Sequence, residues 1–191
     1  MPQTDIADKE FENIDYSNKD LSKFIFTNCI FNSCNFTQTN ISYTSFDDCT
    51  FNFCIFSAPT VNLTRFKNVI FNETKLMGFP FQNCKEFLFE LQFKNCQLDY
   101  AIFCEKKMRG TIFTDCNLKE VDFSKADLTS AVFNNCDMQD AIFDDTIIEK
   151  VDFRTAKNFT IDPQHNKIKN AKFSFYGLEG LLRKYKIEVA Y

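Results

Sequence analysis

The chain has 191 residues, a net charge of −4 and 45% hydrophobic residues, which suits one domain with a substantial core. A single His argues against ordinary acid–base catalysis, and no run approaches the roughly 18 consecutive apolar residues of a membrane span. Because no charged start is followed by an apolar stretch, we expect a cytoplasmic protein whose nine Cys are reduced.

An apolar residue recurs at every fifth position for most of the chain. After a tail at residues 1–10, a first series runs from Phe11 to Phe81, and a second series in a shifted phase runs from Leu88 to Phe153. A period of five fits neither an α-helix at 3.6 residues nor a strand at 2, so the chain must turn a corner every five residues. This pattern predicts a solenoid whose core contains the central side chain of each pentad.

The cysteines indicate how these pentads group into coils. Cys96, Cys116 and Cys136 each precede a central residue by two positions, and they are spaced by 20 residues. Four pentads per coil would stack them, and would place Phe on two opposite walls of the second series and Leu, Met and Ile on the other two. Stacked, parallel thiols suit a dry core better than a metal site, whose ligands converge from several directions. We therefore predict no metal and no cofactor.

Single pentads then identify the repeat. Ala126-Asp127-Leu128-Thr129-Ser130 and Cys116-Asn117-Leu118-Lys119-Glu120 resemble the A(D/N)LXX unit of the pentapeptide repeat proteins. The resemblance implies an all-β solenoid, a right-handed quadrilateral (four-sided) β-helix, over residues 11–173. A C-terminal α-helix that caps the rod or joins two copies would follow at 174–191.

Two stretches interrupt the repeat. Near residues 82–92 two residues are inserted, which indicates a kink between two sub-rods, and residues 154–166 are polar and irregular. Cys84 and Cys104 lie at the break or off the inward pattern and are the candidate reactive thiols. Lys106 occupies an inward position, and we expect a local distortion that lets its side chain reach outward.

The C-terminal segment has helical spacing. Leu178, Leu181, Leu182 and Tyr185 recur at i, i+3, i+4 and i+7, the pattern of one amphipathic helix, and Ile187 follows. Such a helix would cover the open end of the core. It would act either as the cap of a monomer or as the interface of a homodimer, and both alternatives remain open.

Because the sequence contains no catalytic motif, we predict a non-catalytic binding protein that acts through its surface. Acidic residues of the second series could face a basic partner on one side of the rod. The candidate partner-binding residues are Asp115, Glu120, Asp140, Asp144, Asp145 and Glu149.

The family resemblance implies a named partner. Members of similar length with a C-terminal dimer helix include proteins that bind DNA gyrase or topoisomerase IV by mimicking duplex DNA and protect these enzymes from poisons. The alternative is an interaction scaffold or structural protein of unassigned partner. Direct nucleic-acid binding ranks low because the basic residues form no stripe in the sequence, and we expect no membrane association.

Overall fold

The computed structural model describes residues 4–187, and these form a parallel β-solenoid. Eleven short strands within this range build two sheets, one of seven strands and one of four. The strands are β1 (Thr4–Ala7), β2 (Glu10–Glu12), β3 (Phe24–Thr27), β4 (Ile30–Asn32), β5 (Ser45–Asp47), β6 (Thr50–Asn52), β7 (Arg65–Lys67), β8 (Val69–Asn72), β9 (Leu91–Lys94), β10 (Ile112–Thr114) and β11 (Val132–Asn134).

Residues one coil apart pair in parallel, as the spacing of 20 predicted. Phe31 pairs with Phe11 above it and Phe51 below it, and Phe113 pairs with Phe133. Single bridges continue the same register where no strand forms, for example between Asn117 and Asp137. The prediction of a four-sided β-helix is confirmed, with one side per pentad and four sides per coil.

We number the sides along the chain from the seven-stranded sheet, which forms the first side. The fourth side contains the four-stranded sheet, in the order β1-β3-β5-β7, and continues as single bridges. The central residues of the second side are Tyr16, Phe36, Phe56, Leu76, Leu98, Leu118 and Met138. Those of the third side are Leu21, Ile41, Val61, Phe81, Phe103, Phe123 and Phe143.

Each corner of the coil needs one residue with left-handed backbone. This residue follows the central residue by two positions, and in all but two cases it is not glycine; Asn13, at φ 53°, and Glu120, at φ 54°, are examples. An Asp or Asn just before the central residue supports the turn, since its side chain accepts the backbone N–H two residues on. Asp122 Oδ1 accepts the Ser124 N–H at 2.8 Å in this way. Many Asp and Asn residues of the repeat are therefore required by the corners.

Phenylalanine rings form continuous stacks through the core. Along the first side the centroids of successive rings lie 4.7 to 5.5 Å apart. After the phase break a second stack, Phe81 to Phe143, follows the third side, and its rings meet those of the first side edge to face. This confirms the predicted placement of Phe on two opposite walls.

Small residues two positions before the centre also point inward. Cys54 Sγ lies 3.3 Å from the Phe31 carbonyl, and Thr64 Oγ1 donates at 2.7 Å to the Ile41 carbonyl, each 23 residues earlier. Cys and Thr thus fill equivalent places and donate to the backbone of the coil above. Burial raises the pKa of the Cys49 thiol to about 12, so this thiol stays protonated at neutral pH.

The solenoid begins earlier than predicted. Residues 1–10 were expected to be a tail, but β1 lies in this segment and pairs with β3 from Thr4 to Ala7. Ile6 precedes Phe11 by five residues, lies half-buried against the core and so acts as one more central residue. Residues 1–3 lie outside the described range.

The phase break differs from its prediction in two side chains. Leu88, predicted to be central, is 38% exposed, and the neighbouring Phe89 is buried in its place. Lys106, predicted to reach outward, is 6% exposed: its Nζ donates to the Cys84 carbonyl at 2.5 Å and lies 3.6 Å from Glu86. The inserted residues supply a carbonyl and a carboxylate to the ammonium, and these partners offset the free-energy cost of burying it.

The polar stretch 154–166 still follows the coil. Lys157 bridges to Asp137, one coil above, and Asn166 is buried at an inward position. The Asn166 side chain accepts the Thr146 N–H at 2.9 Å and donates to the Phe143 carbonyl at 3.1 Å. Asn166 thus occupies an inward position that Thr or Cys takes in other coils, and its amide makes hydrogen bonds to the backbone of the coil above.

A broken helical segment closes the C-terminal end. It consists of 3-10 turns at Tyr176–Leu178 and Arg183–Tyr185 around the short helix α1, Glu179–Leu182, instead of one continuous helix. Gly180 allows the segment to lie directly against the last coil. This glycine is buried, and a Cβ there would clash with the Phe159 carbonyl. The Ile161 N–H donates to the Gly180 carbonyl at 3.0 Å. The segment therefore covers the last coil through close backbone contact, which glycine permits.

Candidate functional site

Four of the six predicted acidic residues border the third side. Glu120 and Asp140 occupy stacked corners before this side, and Asp144 and Asp145 lie at its far corner; all four are exposed. Asp122, which the prediction left out, lies on the same side and pairs with Ile142 of the next coil. We call the group Glu120, Asp122, Asp140, Asp144 and Asp145 the acidic side.

The other two predicted acids do not belong to the acidic side. Asp115 lies at the corner between the first and second sides, where its Oδ1 accepts the Asn135 side-chain amide at 2.7 Å. Glu149 follows Ile148 on the fourth side and is half-buried. Because the chain turns onto a new side of the coil every five residues, acids that are close in sequence can lie on different sides.

Few cations neutralise the acidic side. Lys125 lies one coil above Asp145 at the same corner, with its Nζ 3.9 Å from Glu105, and His165 Nδ1 lies 3.7 Å from the Asp144 carboxylate. The His165 contact becomes an ion pair only when the imidazole is protonated. The exposed carboxylates therefore keep a net negative potential over about two coils, spaced by the roughly 4.8 Å between stacked strands.

The terminal apolar residues divide into two groups. Leu181 is half-buried and packs on the core, so it belongs to the cap. Leu178, Leu182, Tyr185 and Ile187 are 37 to 56% exposed. We call these four exposed residues the terminal apolar patch. A cap needs only the first group, and the second leaves four large apolar or aromatic side chains exposed at the end of the rod.

Neither candidate thiol shows activation. Cys84 is buried and Cys104 is half-buried, and burial raises the pKa of both thiols above the ordinary value. Among residues 4–187 no three His, Cys, Asp or Glu side chains are grouped closely enough to hold a metal ion. In the same range no helix is long and apolar enough to cross a bilayer.

Sequence reasoning did not identify a groove at the C-terminal end. About 530 Å³ of space lies between the last coil and the helical segment, lined by the cations Arg154, Lys157 and Arg183 and by Tyr176. The positive charge of residues 161–191 was a visible signal for it. No pattern in the sequence indicated the path of the terminal segment, which brings Arg183 back toward Lys157.

Comparison with known families decides the classification. One family model, a pentapeptide repeat region, matches residues 88–162, and another, pentapeptide repeats in eight copies, matches residues 19–57. The chain is a pentapeptide repeat protein. The gap between the two matches, residues 58–87, includes the first part of the interruption near residues 82–92. No curated protein sequence matches the chain.

Solved structures of other pentapeptide repeat proteins share the fold. A trypsin-treated form of QnrB1, a plasmid-mediated fluoroquinolone resistance protein, is 17% identical with a TM-score of 0.55, and the alignment covers 100% of both chains. HetL, which is involved in heterocyst differentiation regulation in the cyanobacterium Nostoc sp. strain PCC 7120, is 13% identical with a TM-score of 0.58. That alignment covers 92% of this chain and 88% of HetL. At these identities the likeness concerns the fold alone.

Proposed function

We propose that this pentapeptide repeat protein is a non-catalytic binder that presents its acidic side to the basic DNA-binding surface of a partner protein. The observation that carries the proposal is the acidic side itself, where Glu120 and Asp140 stack one coil apart and Asp144 and Asp145 flank them. A rigid row of carboxylates at strand spacing resembles a phosphate backbone in sign and in regularity. Electrostatic complementarity of this kind steers association and favours a basic groove.

DNA gyrase or topoisomerase IV is the partner class we propose to test. Both must bind duplex DNA on basic surfaces, and QnrB1, which shares the fold, is described as a fluoroquinolone resistance protein.

A supercoiling assay tests this function. Purified protein is added to gyrase with and without a quinolone, at up to tens of micromolar, on the order of concentrations where weak specific binding registers. Inhibition of supercoiling, or its rescue from the drug, is the expected result. The variant Glu120→Lys/Asp144→Lys should lose the effect, while Asp115→Lys/Glu149→Lys, with the same charge change away from the acidic side, should keep it. Equal loss in both variants, or no effect of the parent protein, would contradict the proposal.

We further propose that the terminal apolar patch joins two copies. Leu178, Leu182 and Tyr185 are exposed on the outer face of the segment whose inner face packs on Phe159. Leu178→Asp/Leu182→Asp should give a monomer in sedimentation, with far-UV dichroism unchanged. Leu181→Ala is the matched control, because Leu181 packs on the core and its loss should lower stability without changing the oligomeric state. A monomeric parent protein would reduce the segment to a cap.

The first side supports a second candidate, an interaction scaffold. Its strands from β4 to β11 contain one charged residue, Lys94, and the Asn52 side-chain amide donates to Asn32 at 2.8 Å in a ladder that Asn72 extends. A flat, nearly uncharged sheet suits a protein partner with a complementary flat face. If Ile112→Lys abolished binding of an identified partner and Asp144→Lys did not, the scaffold would replace the acidic side as the functional surface.

A further inference from the structure

Positive charge accumulates at the C-terminal end of the rod. Residues 154–187 contain eight Lys and Arg against two Asp and Glu, a net charge of +6, whereas residues 1–153 contain 14 against 23, a net charge of −9. In the sequence these bases form no stripe. In the structure the last coil exposes Lys167, Lys169 and Lys172 on two adjacent sides, next to the groove described above.

Three cations line that groove and are incompletely neutralised. Arg154 is paired with Asp152 at 2.7 Å, and Arg183 lies 3.7 Å from Glu179. Lys157 is exposed, and its ammonium makes no ion pair with the described residues. The groove thus contains one carboxylate, Glu179, against one unpaired cation and two guanidinium groups that still have free donors. This net positive environment attracts phosphate groups.

Exposed aromatic rings stand at the rim of the groove. Phe175 and Tyr176 are 76% and 74% exposed, and their ring centroids lie 5.8 Å apart in an edge-to-face arrangement. Tyr176 also lines the groove. A positive groove beside exposed rings is the combination that binds single strands, because the cations follow the phosphates and the rings stack on unpaired bases.

We propose that this groove binds single-stranded nucleic acid, with phosphates at Lys157 and Arg183 and a base stacked on Tyr176. Duplex nucleic acid fits less well, since its bases are already stacked on one another and cannot reach the ring. The site is independent of the acidic side. It lies on the inner flank of the terminal segment, at Tyr176, Gly180 and Arg183, while the terminal apolar patch lies on the outer flank.

Fluorescence anisotropy of a labelled thymidine oligomer, about 12 nucleotides long to span one site, tests the proposal on the full chain. Binding should weaken about 7-fold between roughly 50 and 200 mM salt when two phosphates are contacted. Lys157→Glu/Arg183→Glu should weaken binding at least ten-fold. Tyr176→Ala should weaken it about five-fold or more, the usual effect of losing one stacked base.

Matched variants separate this site from general attraction. Lys19→Glu/Lys23→Glu has the same charge change near the N-terminal end of the rod, and Tyr100→Ala removes an exposed ring elsewhere; both should bind like the parent protein. Equal weakening by the control pair would overturn the proposal. Tighter binding of a duplex than of the single strand would also overturn it. The proposal would fail as well if inorganic triphosphate displaced the oligomer and Tyr176→Ala had no effect, because a site for simple anions would then explain the binding. Absence of binding at low salt would also overturn it.

Discussion

The two halves of the rod fill the same cross-section with different side chains. In the first three coils, residues 11–66, aromatic rings occupy the first, second and fourth sides, and aliphatic residues such as Ile41 occupy the third side. After the break rings occupy only the first and third sides, and residues such as Leu118 and Leu128 occupy the second and fourth. The strands of the fourth side end with β7, in the half where Phe26, Phe46 and Phe66 stack there.

The smaller inward residues differ in the same way. In the first half they are mainly Cys and Thr, which donate to carbonyls of the coil above, as Thr44 Oγ1 does to Leu21 at 2.7 Å. In the second half Ala and Val replace many of them, as at Ala131 and Val151. The fold therefore requires a period of five and a fixed core volume per coil, and it tolerates exchange of the residues that supply that volume. This explains how related rods share a fold at 13 to 17% identity.

The largest expected effect tests whether the two halves depend on one sealed core. Phe133→Asp places an unpaired carboxylate in the ring stack of the second half, which costs several kcal/mol, on the order of the whole stability of the domain. We expect no cooperative melting of this variant by circular dichroism. Phe53→Asp, at a corner where Phe53 is 56% exposed, should melt like the parent protein. A folded Phe133→Asp protein would contradict the architecture of the second half.

The next effect concerns the junction between the halves. Lys106→Ala removes the donor to the Cys84 carbonyl and packing on Phe89, whose ring centroid lies 5.5 Å from the ammonium. We expect a loss of about 1–3 kcal/mol in the free energy of unfolding, the usual cost of an unsatisfied buried group. Because this contact joins the inserted loop to the next coil, urea unfolding should also become broader or split into two steps. Lys106→Met, which keeps the packing, separates the two contributions; an unchanged midpoint for Lys106→Ala would show that the junction does not need the ammonium.

Most of the fold could be predicted because its determinant is periodic. The central residues from Phe11 to Phe81 specify coil, corner and stack at once, so an error at one position leaves the others correct. Leu88 and Lys106 were misassigned, and the burial of Phe89 was missed, because the period fails at the inserted residues. There burial depends on which loop carbonyl or carboxylate lies nearby. Periodicity carries no information about such single contacts.

The candidate site was less predictable for the same physical reason. The corners of Glu120 and Asp140 follow from the period, but Asp115 and Glu149 were grouped with them by sequence proximity and lie on other sides. The terminal segment has no repeat. Its place depends on the contact between Gly180 and Phe159, and the spacing of its leucines does not encode that contact.

A smaller effect tests the difference between the repeating coils and this terminal segment. Gly180→Ala places a Cβ against the Phe159 carbonyl and ring, so the segment must shift away from the last coil. We expect faster hydrogen exchange in residues 176–185, a loss of about 1–3 kcal/mol for this segment as for other overpacked contacts, and little change in the exchange of the coils. Gly78→Ala, at an open corner with φ 65°, is the control. Unchanged exchange in the terminal segment would mean that its docking does not depend on the glycine.

The smallest expected effect is a pH dependence of the same docking. A hydrogen bond from Lys184, 2.6 Å from Asp162, lowers the pKa of that carboxyl below its ordinary value of 3.8, and the ion pair raises the pKa of Lys184. A carboxyl with a depressed pKa stabilises the folded form above its ordinary pKa, and the effect is lost as pH falls through the lowered value. Exchange in residues 176–185, corrected for intrinsic rates, should therefore be constant from neutral pH to about pH 5 and rise below the ordinary pKa. The variant Asp162→Asn can still accept the Gln164 N–H but loses the ion pair, so it should show the faster exchange already at neutral pH. The control variant Asp122→Asn lies at a comparable corner without a lysine partner and should leave exchange in residues 176–185 unchanged. If both variants behaved alike, the turn rather than the ion pair would hold the segment.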